Sequence, residues 1–227
     1  MAREPEAIVE DLRREAREWR LNRSEYMLID ACFNQPADWA KRFLEAVIRA
    51  DLRWGFSCIV EPTPDLDREL CQLLVRAGNN MVTGLVGALH DTPLREQRRP
   101  FCLDDVAHAF ELFEETRVLY MPQLMFGGPG ETEQTIQDGL TFLGRFKPLM
   151  FTTSLGVRIF PKAEIRARAI AEGQIEPDDD LLQPRFYYAP GLDRARIAAR
   201  LEKARPQWGP SMWGWARYLA RSARLWF

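Results

Sequence analysis

Val118-Leu119-Tyr120-Met121-Pro122-Gln123-Leu124-Met125 runs directly into Phe126-Gly127-Gly128-Pro129-Gly130-Glu131-Thr132. An apolar run that ends in a glycine-rich turn and then a polar helix start is how a buried strand hands over to a helix. Glycines leave backbone N–H and C=O groups bare, so a ligand can approach closely at the strand's C-terminal edge. Pro129 and Gly130 fix the turn, Glu131 complements the positive end of the following helix, and Thr132 is placed to cap it. A tight strand-to-helix connection with no ligand is the competing reading of the same residues.

Outward from this stretch the pattern repeats. Pro5 to about Arg20 carries Ile8, Val9, Leu12, Ala16 and Trp19 at helical spacing, and Tyr26–Asp30 reads as a short buried strand. A helix over Pro36–Ala50 and a strand over Trp54–Val60 follow. The next helix is marked by Leu66, Leu70, Leu73 and Leu74 and stops at Gly78; Met81–Val86 then reads as a strand. Asp91–Pro100, with Arg95, Arg98 and Arg99, reads as a basic surface turn or short helix. Helices are expected from Leu103, over Thr132–Phe146 and over Ala163–Gly173, with a fifth strand over Met150–Ile159. Strands alternating with helices imply parallel pairing and right-handed crossovers, hence an α/β fold: an open doubly wound sheet or part of a (βα) barrel.

Composition excludes several classes of function. A formal net charge of -2 over 227 residues gives no reason to expect nucleic acid as a partner. No apolar stretch approaches the ~20 residues that span a bilayer, and the N-terminus lacks an apolar export core, so the cytoplasm is the expected compartment. Cys32, Cys58, Cys71 and Cys102 are scattered and only His90 and His108 add imidazole, so no metal site is expected from this chain.

After residue 175 the character changes. Residues 1–175 read as the domain and 176–227 as an extension: the acidic loop Glu176–Asp180, the aromatic Arg185–Tyr188, then a basic tail bearing Trp208, Trp213, Trp215 and Trp226. Such a tail suits packing on its own domain or a missing one, with a membrane surface or a partner as the alternative.

Residues Pro5 to Ile175 resemble radical S-adenosylmethionine (SAM) enzymes, in the branch that carries a cobalamin-binding domain. Glu4–Leu12 is similar to the helix after that family's cluster loop, and Ile29-Asp30-Ala31-Cys32-Phe33-Asn34 to its second strand and Asp-x-x-Phe-Asn ending. Trp54-Gly55-Phe56-Ser57-Cys58 resembles the third strand, Phe126–Glu131 the fifth-strand glycine motif that meets the adenine, and Gly156-Val157-Arg158-Ile159-Phe160-Pro161 the sixth-strand segment. The resemblance implies a partial TIM-like barrel of about five parallel strands. It also implies a SAM or substrate cleft that gathers Asp30, Ser57, Phe126, Gly127, Gly128, Gly130, Glu131 and Arg158.

The departures bear on activity. The CxxxCxxC loop that holds a [4Fe–4S] cluster is absent, with the strand before it, and the chain starts where that loop ends. Val86 stands in Gly84-Leu85-Val86-Gly87-Ala88 where the family has an acidic residue, which casts doubt on tight SAM binding. Leu124 replaces the first glycine of the fifth-strand motif, and Lys162-Ala163-Glu164 replaces Gly-Thr-Pro. The resemblance therefore implies the C-terminal portion of a radical SAM enzyme, inactive in SAM cleavage alone. Its cluster and cobalamin would come from an N-terminal polypeptide, and its small-molecule substrate is not indicated. A degenerate binding or scaffold module is the alternative. A third reading is an unrelated α/β protein with a phosphate loop at Gly127-Gly128, which lacks the Lys-Ser/Thr of a P-loop.

Overall fold

The computed structural model describes residues 3–18, 24–52 and 54–204. Trp19 and Arg20 of the first expected helix and the four tryptophans of the tail lie outside the described residues.

Fifteen elements follow one another in chain order among the described residues. They begin α1 Pro5–Glu18, β1 Ser24–Met27, α2 Ala37–Ala50, β2 Trp54–Val60, α3 Arg68–Arg76 and β3 Asn79–Gly87. Next come α4 Asp91–Glu96, α5 Leu103–Thr116, β4 Tyr120–Phe126, α6 Glu133–Leu143 and β5 Thr152–Leu155. The last are β6 Val157–Arg158, α7 Glu164–Ala171, β7 Phe186–Tyr187 and α8 Arg194–Ala204. Strands β1 to β5 pair in parallel in the order β1-β2-β3-β4-β5. This is the five-stranded partial barrel that the family resemblance implied, one of the two α/β arrangements that the strand–helix alternation left open.

Strand burial alternates, and that alternation gives the sheet two unlike faces. Phe56, Cys58 and Val60 of β2, Val82 of β3 and Tyr120, Leu124 and Phe126 of β4 are buried in the main core. The same core takes in Phe43, Leu44 and Val47 of α2, Leu70, Cys71 and Leu74 of α3, and Phe110 and Phe113 of α5. On the other face Ser57, Ile59, Met81, Thr83, Leu85, Met121 and Met125 are only half-buried. Helices thus cover one face, and the opposite face stays partly open.

Two strand expectations need correction. Tyr26–Asp30 is not a buried strand: β1 stops at Met27, which is 63% exposed, and Ile29 is 89% exposed. The cause is position, because β1 is an edge strand that, among the described residues, pairs only with β2. Met150–Ile159 is not one strand either. Gly156, at φ +86, breaks it into β5, in the parallel sheet, and β6, which pairs antiparallel with β7. Through β7 the segment after residue 175 is hydrogen-bonded to the segment before it, and Tyr187, Ala189, Ile159 and Ala169 share a second small core.

Local signals explain the helix ends. Asp67 caps α3, its carboxylate accepting the Leu70 N–H at 2.8 Å. Gly78 adopts φ +91, and a Cβ there would sit 2.7 Å from the Trp54 carbonyl oxygen. Both the left-handed backbone and the close approach demand glycine. Gly78→Ala is expected to cost about 2 kcal/mol or more, read as a lower urea midpoint at unchanged slope.

Candidate ligand-binding site at the strand ends

The glycine loop after β4 is closed by its own acid. Glu131 is 5% exposed. Its Oε2 accepts the N–H of Gly128 at 3.0 Å and that of Gly127 in a shorter contact. The loop carbonyls are engaged too: Phe126 C=O accepts from Gly156 N–H at 2.7 Å, and Gly127 C=O from Ala189 N–H at 2.8 Å. The amides expected to be bare for a ligand are therefore satisfied from within the chain. A loop whose N–H nest already holds a carboxylate does not cradle a phosphate. Burial pushes the Glu131 carboxyl up to about 7, against the two backbone donors that hold it down.

A cavity of about 690 Å³ opens beside this loop. Met125, Pro129 and Val157 give it an apolar side, and residues 95–99, which end α4 and lead out of it, give it a polar one. Glu164, Ile165 and Arg168 of α7 complete the wall. Arg168 is bound to Glu96 at 2.8 Å and Glu172 at 3.0 Å, and Arg98 to Glu164 at 2.6 Å. Arg99 is less well matched, with Glu61 at 3.5 Å, and both are half-buried. Arg95 has no ion pair among the described residues. The cavity is therefore biased toward an anionic ligand.

The expected site residues divide by strand. Phe126, Gly127, Gly128, Gly130 and Glu131 form one continuous loop, and the Phe126 side chain is buried in the core. Asp30 follows β1, three strands from β4 and thus roughly 14 Å across the sheet; its Oδ1 accepts the Cys32 N–H at 3.0 Å and so fixes its own turn. Ser57 sits mid-strand on the open face, in register with Met27 and Met81. Arg158 is exposed on β6, opposite Phe186, with its guanidinium 5.0 Å from the centre of the Phe160 ring. Its neighbour Val157, not Arg158, lines the cavity.

A second cluster ties the first two strand ends together. Asn34 is fully buried and spans two loops: its Nδ2 donates to Glu61 C=O at 2.9 Å, and its Oδ1 accepts Glu61 N–H at 3.0 Å. The Cys32 thiol donates to Asn34 Oδ1 at 3.3 Å, and burial pushes that thiol up to about 11. Burial also pushes Cys71 up to about 12, and raises Cys58 further. Burial thus favours the protonated thiol at Cys58 and Cys71, which is a poor nucleophile. No group of three or more His, Cys, Asp or Glu side chains suited to a metal occurs among the described residues.

Three site residues escaped the sequence reading: Glu61, Gln97 and Arg99. The signal was present, since Arg95-Glu96-Gln97-Arg98-Arg99 follows a strand that ends in glycine. Read as a surface turn or short helix, the segment does form the short helix α4, but it buries Pro93 and Leu94 and leaves Arg99 half-buried. Val86 also has a defined place. The β3–β4 register jumps between Leu85 and Gly87, so Val86 is the extra residue of a bulge and is fully buried. An apolar side chain suits that core position, and a carboxylate there would be buried without a partner.

No family model matches the chain. Tryptophan 2-C-methyltransferase from Streptomyces laurentii is 27% identical over 161 residues, covering 63% of this chain and 26% of that protein. Among solved structures, the radical SAM methyltransferase TsrM from Kitasatospora setae, with cobalamin and a [4Fe–4S] cluster bound, superposes with a TM-score of 0.76 at 18% identity. That match covers 98% of this chain and 54% of TsrM. The cobalamin-dependent SAM radical enzyme OxsB matches at TM-score 0.52 and 13% identity, over 74% of this chain and 25% of that one. The fold is that of radical SAM enzymes. The chain spans about half of TsrM and about a quarter of the curated relative.

The Glu131 carboxyl predicts a pH dependence of stability. Its folded value, about 7, lies above the ordinary 4.5, so between those values the folded state holds a proton that the unfolded state has lost. Stability therefore falls as pH rises from 4.5 to 7, by on the order of 3 kcal/mol, and levels off above. Urea titrations across that range should show the fall, and Glu131→Gln should flatten it. Asn34→Ala, which leaves the Glu61 N–H and C=O without their partner, is expected to cost about 3 kcal/mol in the same titration.

Proposed function

We propose that this chain is the C-terminal portion of a cytoplasmic radical SAM enzyme of the cobalamin-dependent, methyltransferase-like branch. It would supply the strand-end surface for SAM and a small-molecule substrate. The observation that carries this reading is the parallel β1–β5 half-barrel with its glycine loop at the end of β4, joined to sequence similarity with a tryptophan methyltransferase. Parallel α/β folds bind ligands beyond the C-terminal ends of their strands, and the 690 Å³ cavity lies there.

A [4Fe–4S] cluster does not fit the described residues. Cys58 lies within β2 and Cys71 within α3, both buried; Cys102 is the exposed residue before α5, and Cys32 follows β1. No three thiols share a loop. In radical SAM chemistry the cluster supplies the iron that SAM's methionine amino and carboxylate groups chelate, and the electron that cleaves its C–S bond. On this reading the cluster and cobalamin are contributed by another polypeptide segment, and this chain orients the ligands and excludes water. The exposed edge strand β1 supports the reading, because a further strand can pair there.

A non-catalytic scaffold or binding module is the second reading, and two observations favour it. Val86 is buried in the core where the family carries an acid, and Glu131 occupies the loop amides.

Three measurements test these readings, and the second and third separate them. After anaerobic reconstitution with iron and sulfide, the chain alone is expected to show no [4Fe–4S] absorbance and to release no 5′-deoxyadenosine from SAM. Mixed with a polypeptide bearing CxxxCxxC from the same genome, it is expected to restore methyl transfer. Titration calorimetry with S-adenosylhomocysteine tests the ligand surface directly. No heat of binding, with or without the second polypeptide, would sink the enzymatic reading in favour of the scaffold.

A further inference from the structure

Residues 157–189, which carry β6, α7 and β7, form a unit with a core of its own, made by Ile159, Ala169, Ile175, Tyr187 and Ala189. None of the described residues between 157 and 189 joins the main core, and Leu192, just past the unit, packs against both cores. The chain enters and leaves this unit at one place. Gly156 N–H donates to the Phe126 carbonyl at 2.7 Å and Ala189 N–H to the Gly127 carbonyl at 2.8 Å, so two adjacent carbonyls of the glycine loop hold both ends. Gly127 and Gly156 adopt φ of +85 and +86, and a Cβ on Gly156 would lie 2.8 Å from the Tyr188 ring. Attachment at two neighbouring points, with glycine at the entry, is the geometry of a hinge.

Away from the hinge, two ion pairs tie α7 to the end of α4 and the residues after it. Arg168 meets Glu96 at 2.8 Å, and Arg98 meets Glu164 at 2.6 Å. All four side chains line the cavity, so the pairs bridge two of its walls. Arg98 and Glu164 are 76% and 75% exposed, and Arg168 and Glu96 are 39% and 43% exposed. An exposed pair of this kind shifts an equilibrium by only about two- to fivefold, and salt weakens it. Breaking the Arg168–Glu96 pair strands no charge, because Arg168 keeps Glu172 of its own helix at 3.0 Å and Glu96 faces water. Units joined by polar contacts, without a broad apolar interface, move relative to one another by default.

We propose that β6, α7 and β7 form a lid over the cavity, which turns on the hinge at Gly127 and Gly156 and is latched by the Arg98–Glu164 and Arg168–Glu96 pairs. The structure shows the latched form. Unlatching swings α7 away from the end of α4 and widens the mouth of the cavity, and relatching restores the wall. Ionic strength then sets how often the cavity opens, whatever it binds, so the lid does not depend on the SAM reading.

Paired nitroxide labels on the whole chain read the motion. In a Cys32→Ser/Cys102→Ser background, Glu111→Cys on α5 and Ala167→Cys on α7 put one label on the main body and one on the lid, both at exposed positions. The remaining thiols, Cys58 and Cys71, are buried. Double electron–electron resonance at low salt is expected to give one dominant distance. At about 1 M NaCl, where the Debye length is about 3 Å, a second and longer distance should gain roughly tenfold over the first, the combined effect of two exposed pairs. Glu96→Gln/Glu164→Gln should show that longer distance already at low salt and lose most of its response to salt. Arg98→Glu should lengthen the distance too, and adding Glu164→Arg should bring the short one back, the mark of a charge effect as opposed to misfolding. A single unchanged distance in every sample, a salt response undiminished in Glu96→Gln/Glu164→Gln, or no recovery in the charge swap would each overturn the proposal.

Discussion

One buried carboxylate organises the end of the sheet. Glu131 reaches back over four residues and takes the amides of Gly127 and Gly128, and the loop that results can face its carbonyls outward. Those carbonyls then collect Gly156 and Ala189. Gly156 is the hinge where the chain leaves the parallel sheet, and Ala189 lies just past the strand that pairs with β6. The cavity wall built from Val157 and α7 stands on that turn. Without an internal acceptor the loop amides would be unmet in a site that excludes water, and the second sheet would lose its attachment.

The same interaction explains why the fold was legible in the sequence and the site only in part. Strand and helix order followed from periodicity: Trp54–Val60 is the strand as read, and Pro36–Ala50 and Ala163–Gly173 shifted by a residue or two at their ends. Apolar patterning reports burial against helices, and the covered face of the sheet has just that pattern. It misled at the edge, where Met27 and Ile29 are apolar and exposed, because composition does not say whether a strand has one neighbour or two. Gly156 was visible in the sequence, but a single left-handed residue that redirects a strand looks like any other strand glycine until its pairing is known.

The site was harder to read because its decisive features are relations between distant residues. Glu131 looked like a helix-end charge and is a loop acceptor. Asn34 joins residues 27 positions apart in a reciprocal pair of bonds. The Arg95–Arg99 run looked solvated, yet it threads one arginine and one glutamine against the ends of two strands. No local rule links a glycine at 87, a glycine at 128 and an amide at 97. Only the bulge at Val86 and the loop after β4 bring them to one point.

Strand β1 is four residues long, has a single hydrogen-bonded neighbour among the described residues and exposes Glu25 and Met27 to solvent. A parallel sheet frays from such an edge, and the amides that exchange first with water are those that pair with nothing beyond them. A strand laid alongside β1 would make an outer member an inner one, and protection would spread inward to β2 and to the Asn34 bridge behind it. Any association at this edge would then be coupled to the stability of the sheet itself. With such a strand in place, the chain's conformational stability would depend on the concentration of that neighbour as well as on its own sequence.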